Sequence, residues 1–293
     1  QVKGPVDQVE GQFIRFKPNQ QFRVSNPEYR HSVHIDELGG RATCATVGGS
    51  DARTLVLLGD SFTFGIGVED CDTFASQLAS NLQGYRVINL GVPGTALPQQ
   101  LFIASKRQSE IGGESTLFFF VFLGNDFDGM IEAKPYWWNG SKRTGNEQAP
   151  STDRSSLPRR LLEALNAISH RSPFSHSYLL QMLRTVALRA LLGRSATSVD
   201  PIFKGMFTRN AEYVDAMRTA LRENLTYLET LVRESGATAV LVAIPDRYQL
   251  IEHIRLRQAE YYGLNVNDLD RFLPNRILAE ESAAAGIALL DPS

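Results

Sequence analysis

The sequence predicts an α/β domain built on a five-stranded parallel sheet, and three observations carry that expectation. Five apolar runs recur along the chain: Thr54–Leu58, Arg86–Leu90, Thr116–Leu123, Ala239–Ile244 and Ile287–Leu290. Segments with helical spacing separate them, which is the order of βαβ units. The first three runs each stop at a turn of small and polar residues, as strands do at the edge of an open sheet.

Composition bounds the rest. The 293 residues suffice for one large α/β domain or two average ones. With 43% hydrophobic and 21% charged residues, neither a disordered nor a fibrous class fits. The 30 basic and 32 acidic residues leave a net charge of -2, so no global field draws nucleic acid, and a small-molecule or glycan substrate is expected. No membrane-spanning segment is expected, because Leu117–Leu123 is far shorter than the roughly 20 apolar residues a spanning helix needs. The chain begins with Gln1 rather than Met, which raises the expectation of an upstream signal peptide or anchor and of export to a periplasmic or extracellular site. Cys44 and Cys71 fit no metal-ligand spacing; they either form one disulfide in an oxidising compartment or remain two thiols. No metal or cofactor is expected, and the oligomeric state is open.

Taken in order, residues 1–50 are polar with scattered Gly and Pro and no sustained period, which reads as an N-terminal arm on the surface of a domain spanning 51–293. Thr54–Leu58 is the first strand. Phe74, Leu78 and Leu82 then share one helical face. Arg86–Leu90 is the second strand, followed by a helix from about 97 to 108. Thr116–Leu123, almost wholly aromatic and aliphatic, reads as a central strand buried on both faces. Residues 132–209 read as an insertion. It opens with the Pro, Gly and Ser-rich stretch Lys134–Pro158 and continues with helical patterns at Arg160–Ile168 and Tyr178–Leu192. A helix over about 211–234, the fourth strand, two more helical patterns and the fifth strand complete the chain.

The three turns carry the chemistry. Ligands of open α/β sheets bind outside the carboxyl ends of the strands, and the first three strands end at Gly59-Asp60-Ser61, Gly91-Val92-Pro93-Gly94 and Gly124-Asn125-Asp126. Acyl transfer requires a hydroxyl nucleophile and preorganised donors for an oxyanion. Ser61 supplies the hydroxyl; the backbone N–H groups of Ser61 and Gly94 and the amide of Asn125 supply donors. Gly at 94 would keep side chains clear of the scissile carbonyl. Singly, each turn has a plainer explanation: Asp-Ser is a common helix N-cap and Asn-Asp a common turn pair. Their joint position after three successive strands is what those explanations do not require.

Two competing motifs fail. The nucleophile elbow G-x-S-x-G of α/β-hydrolases would need glycine where Thr63 stands. Gly65 and Gly67 open a dinucleotide-type G-x-G-x-x-G, but Asp70 replaces its third glycine and no phosphate-loop lysine follows.

Leu57-Leu58-Gly59-Asp60-Ser61-Phe62-Thr63-Phe64-Gly65 resembles the first block of the SGNH (GDSL-like) hydrolases. Asn89-Leu90-Gly91-Val92-Pro93-Gly94 resembles the second and Gly124-Asn125-Asp126 the third. The resemblance is close over residues 50–131 and extends to strand order alone over 237–293. It implies a flavodoxin-like three-layer α/β/α fold, an ester hydrolase with Ser61 as nucleophile, and oxyanion-hole roles for Gly94 and Asn125. One departure is Leu123, which stands where the family's third block, G-x-N-D, has its first glycine. The family's general base is a His in an Asp-x-x-His block after the last strand, whereas this sequence reaches Asp291-Pro292-Ser293. The expectation is therefore a catalytic histidine beyond Ser293, with Asp291 the acid only if position 294 is that His. Without a base the serine is a poor nucleophile near neutral pH.

Among the internal histidines, His31 and His34 lie in the arm, His170 and His176 in the insertion. His253 alone falls near the carboxyl edge, close to Asp246. Tyr136-Trp137-Trp138 could stack a sugar or pin the insertion. Arg184, Arg189 and Arg194, among Leu and Val, mark a basic amphipathic helix that meets either a membrane surface or the core. The function expected is cleavage of a small acyl ester, such as O-acetyl on carbohydrate, through an acyl-Ser61 intermediate. A sugar acceptor in place of water would make the same site an O-acetyltransferase, and loss of the base would leave a glycan-binding or scaffold domain.

Overall fold

The computed structural model describes residues 6–9, 12–25, 28–44, 52–112, 114–132 and 210–293. Contacts divide the chain into two units, one of Gln1–Ser25, Tyr29–Lys134 and Asp200–Ser293, the other of Asn26–Glu28 and Pro135–Val199. Apart from Glu28, the second unit lies outside the described residues. So do Tyr136-Trp137-Trp138, His170, His176 and the arginines of the Leu179–Arg194 stretch. The first unit is described below.

Five parallel strands form its centre: β5 (Arg53–Leu58), β6 (Tyr85–Asn89), β7 (Thr116–Phe122), β8 (Thr238–Ile244) and β9 (Ala288–Leu290). Their spatial order is β6-β5-β7-β8-β9. This is the flavodoxin-like arrangement, with the order reversing at β5. In register, Leu57 pairs with Asn89 on one side and with Phe118 on the other. Helices lie on both faces, giving the three-layer α/β/α fold expected from the sequence.

The two faces are not equally covered. Val56, Leu58, Ile88, Leu117, Phe119, Val121, Leu241 and Ala243 point to one side and are buried. The helices Leu97–Lys106, Ala211–Ser235 and Leu273–Ala284 cover them. Opposite, Leu55, Leu57 and Val87 pack with Ala75 of the helix Phe74–Asn81. That helix is eight residues long and meets β7 through its Phe74 ring, 5.1 Å from that of Phe120. The expectation of a β7 strand buried on both faces therefore needs correction: Phe118, Phe120 and Phe122 alternate with fully buried neighbours but are themselves half-buried.

Four short strands in the N-terminal segment pair antiparallel as two hairpins, although the sequence there shows no sustained period. β1 (Val6–Val9) pairs with β2 (Gln12–Phe16), and β3 (Gln21–Ser25) with β4 (Arg30–His34). Four- and five-residue strands carry too few alternations to stand out in a polar segment. Phe16, Val33 and Ile35 bury against Phe64, just past Ser61. Arg15 pairs with Glu110 at 3.0 Å, and the Arg41 N–H donates to the Asn89 carbonyl at 2.9 Å, extending the β6 edge. Cys44 and Cys71 form a disulfide, which resolves the two alternatives left by their spacing.

Candidate active site

The sheet order places the three turns side by side. β5 occupies the position between β6 and β7, so the Ser61 turn is flanked by the Gly94 loop on one side and the Asn125 turn on the other. Ser61 opens a short helix, Ser61–Phe64, capped by Asp60, whose carboxylate accepts from the Phe62 N–H at 2.9 Å. The plain N-cap explanation for Asp60-Ser61 is thus fulfilled, and it leaves Ser61 half-buried at the sheet edge.

Several hydrogen bonds lock the Gly94 loop to the Ser61 turn. Val92 N–H donates to the Gly59 carbonyl at 2.8 Å, and the Thr95 hydroxyl donates to the same oxygen at 3.1 Å. Asn89 uses both ends of its amide, donating to the Thr63 carbonyl at 2.8 Å and accepting from the Gly91 N–H at 3.0 Å. Gly91 is required by crowding, since a Cβ there would sit 2.4 Å from the Phe64 nitrogen. At Gly94 the backbone conformation itself asks for glycine. A Cβ there would meet no protein atom within 4 Å, but its φ is +82°, a backbone conformation that side chains strain. Gly94 is also exposed.

On the β7 side, Asn125 is exposed and Asp126 begins the helix Asp126–Glu132. Asp126 accepts from the Phe122 N–H at 2.9 Å. The ring of Phe62 meets that of Phe122 with centroids 4.7 Å apart, which joins the first and third turns. Asp246, after β8, sits against Gly124: a Cβ there would approach its Oδ2 to 2.6 Å.

Three carboxyl groups at the ends of β5, β7 and β8 are buried. Burial raises Asp60 above the ordinary carboxylate value, against hydrogen bonds from Phe62 and Ser61. Burial raises Asp126 further, the neighbouring Asp60 charge adding to it. Asp246 is raised by burial as well. These three carboxyl groups thus resist negative charge, whereas Gly94 and Asn125 are exposed.

None of the described histidines is hydrogen-bonded to Ser61. His34 is engaged with Asp70 at 2.5 Å and His31 is buried beside Arg41. His253 is exposed on the helix Glu252–Tyr262. Asp291 accepts from Asn275 at 2.9 Å and from the Ser293 hydroxyl at 2.7 Å. Burial pushes its carboxyl up, but these bonds outweigh it and hold the group below its ordinary value. Among the described residues no cluster of His, Cys, Asp and Glu is arranged to hold a metal ion. No described helix is long and apolar enough to cross a membrane.

Sequence reasoning missed Arg41 and Asp70. The Arg41 side chain, wholly buried, reaches the main chain just past Ser61. A guanidinium that binds backbone carbonyls leaves no motif; the Gly39-Gly40-Arg41 string was its only trace.

No family model matches the chain, and no curated protein matches it. Solved structures do. One titled "Crystal Structure of TesA" overlaps it with a TM-score of 0.38 and 14% identity, over 81% of this chain and 77% of the other. A mutant of the esterase AlinE4 overlaps with a TM-score of 0.38 and 11% identity, over 82% and 76%. Both overlaps are too loose to transfer a residue role.

Proposed function

We propose that the chain is a serine ester hydrolase of the SGNH type, with Ser61 as nucleophile and with the N–H groups of Ser61 and Gly94 and the side-chain amide of Asn125 as oxyanion donors. The observation that supports this most is the convergence of three turns on adjacent strands, β6, β5 and β7, with the hydroxyl on the middle one. The Ser61 hydroxyl loses its proton to a base as its Oγ attacks the ester carbonyl. The tetrahedral oxyanion collapses, the alcohol leaves with that proton, and an acyl-serine forms. Water then attacks the acyl-serine, and the acid is released as the Ser61 oxygen recovers a proton. Donors preorganised for the oxyanion stabilise both tetrahedral species.

The proposed acyl group is small, and acetyl on carbohydrate is the first substrate class to test. The Cys44–Cys71 disulfide fits an oxidising compartment, which supports an exported enzyme meeting glycan esters. The decisive assay compares the protein expressed from its complete reading frame with its Ser61→Ala variant. Substrates are nitrophenyl acetate and acetylated sugars, with and without an unacetylated sugar acceptor. Ser61-dependent release of acetate supports the hydrolase, and Ser61-dependent acetyl transfer to the sugar would make it a transferase. Equal rates for the two proteins sink both and favour a glycan-binding domain.

A further inference from the structure

We propose that Arg41, on the segment that follows the N-terminal hairpins, is a positioning residue that holds the Ser61 turn in its reactive geometry, with Asp70 and the Cys44–Cys71 bridge holding Arg41 in turn. This rests on Ser61 being the nucleophile. The helix that Ser61 opens is four residues long, so it has almost no stability of its own, and its last carbonyls need partners from elsewhere. Asn89 serves that of Thr63, and Arg41 serves that of Phe64 together with two carbonyls just beyond the helix. Its Nη1 donates to the Phe64 carbonyl at 2.8 Å and also to that of Gly65, and its Nη2 donates to the Val68 carbonyl at 2.7 Å. The guanidinium lies over the Phe64 ring, 5.3 Å from its centroid.

A charge buried this fully is costly unless it is paired. Arg41 Nε donates to Asp70 Oδ1 at 2.9 Å. Asp70 is itself fixed, its Oδ2 contacted by the His34 ring at 2.5 Å and by the His34 main-chain N–H at 3.2 Å. The Asp70 carbonyl accepts from the Ser76 hydroxyl at 2.6 Å and from Thr73 at 2.9 Å. Cys44 N–H donates to that same Ser76 hydroxyl at 3.1 Å, and the disulfide closes the circuit one residue from Asp70 and three from Arg41. The Ser61 turn is therefore held from two sides, by Asn89 from the sheet and by Arg41 from the N-terminal segment. Lysine could keep the ion pair, but only the guanidinium fork can serve Asp70 and three carbonyls at once.

The test measures Ser61 phosphonylation by a fluorophosphonate, and kcat and KM on nitrophenyl acetate, in the protein from its complete reading frame. Arg41→Lys, Asp70→Asn and Leu228→Ala are compared with the parent, all well below their melting temperatures. Leu228, wholly buried on Ala211–Ser235, is the control for stability loss alone. A nucleophile displaced by about 1 Å loses on the order of 10²-fold in rate. Arg41→Lys is therefore expected to slow phosphonylation and kcat roughly 10- to 100-fold with KM little changed, and Asp70→Asn to slow them less. Leu228→Ala is expected to keep the parent rate. If Arg41→Lys labels as fast as the parent, or slows no more than Leu228→Ala, the positioning role is overturned while Ser61 stands. If the parent itself labels no faster than Ser61→Ala, the nucleophile assignment fails and this role fails with it.

Discussion

Asn125 and Gly94 offer donors of different kinds, one a side-chain amide on the β7 turn and the other a main-chain N–H on the β6 loop. Only the first can be removed without altering the backbone. If Asn125 stabilises an oxyanion, Asn125→Ala should lower kcat by about 10²- to 10³-fold with KM little affected; a change below about threefold contradicts the role. Asp126, next to it, makes a prediction of the opposite kind. Its folded value is raised well above the ordinary one, by burial first and then by Asp60. Folding thus favours its protonated form. The associated stability is fully present below the unfolded value of about 3.9 and is lost as pH rises through the folded value. Asparagine keeps an oxygen for the Phe122 N–H and has no charge to bury. Melting temperatures of Asp126→Asn should therefore fall less than the parent's as pH rises above about 4, and at neutral pH should be no lower; a parent-like slope would contradict the assignment.

At the scale of elements, the disulfide ties the N-terminal region to the segment after Ser61. It closes a loop with a sequence separation of 27, for which the chain-entropy estimate is about 3–4 kcal/mol. Reduction, or replacement of Cys44 and Cys71 by Ser, should lower unfolding free energy by about that amount in a denaturant titration. The loss should fall mainly on the hairpins and the 60–76 segment, as read by hydrogen exchange. The sheet strands were legible because each is a compact apolar run: β7 and β8 occur within one residue of where the sequence placed them. The hairpins were not, because Phe22-x-Val24 and Val33-x-Ile35 give only two apolar positions each among charged and polar neighbours. The half-covered face of β7 was not legible either. Alternation says which side chains point together, not how far an eight-residue helix extends over them.

For the whole molecule, the topology does most to assemble the candidate site. Ser61, Gly94 and Asn125 are far apart in sequence, and the order β6-β5-β7 makes their turns neighbours. That much followed from knowing which strands the turns end. The burial of Asp60, Asp126 and Asp246 did not follow, because burial of a polar residue after a strand depends on packing that sequence spacing does not encode. Nor did Arg41, whose partners are main-chain oxygens of residues 64, 65 and 68. The N-terminal segment, which composition suggests is peripheral, thus contributes a buried group to the central turn.

The central claim is that Ser61 is a nucleophile, and covalent labelling tests it most directly. The protein from its complete reading frame is incubated with a fluorophosphonate, digested, and the modified peptide mapped by mass spectrometry. The expected result is a single phosphonyl adduct on Ser61, absent from Ser61→Ala and suppressed by prior incubation with an acetyl ester. A native, folded protein that carries no adduct, or one placed elsewhere and unchanged in Ser61→Ala, would contradict it.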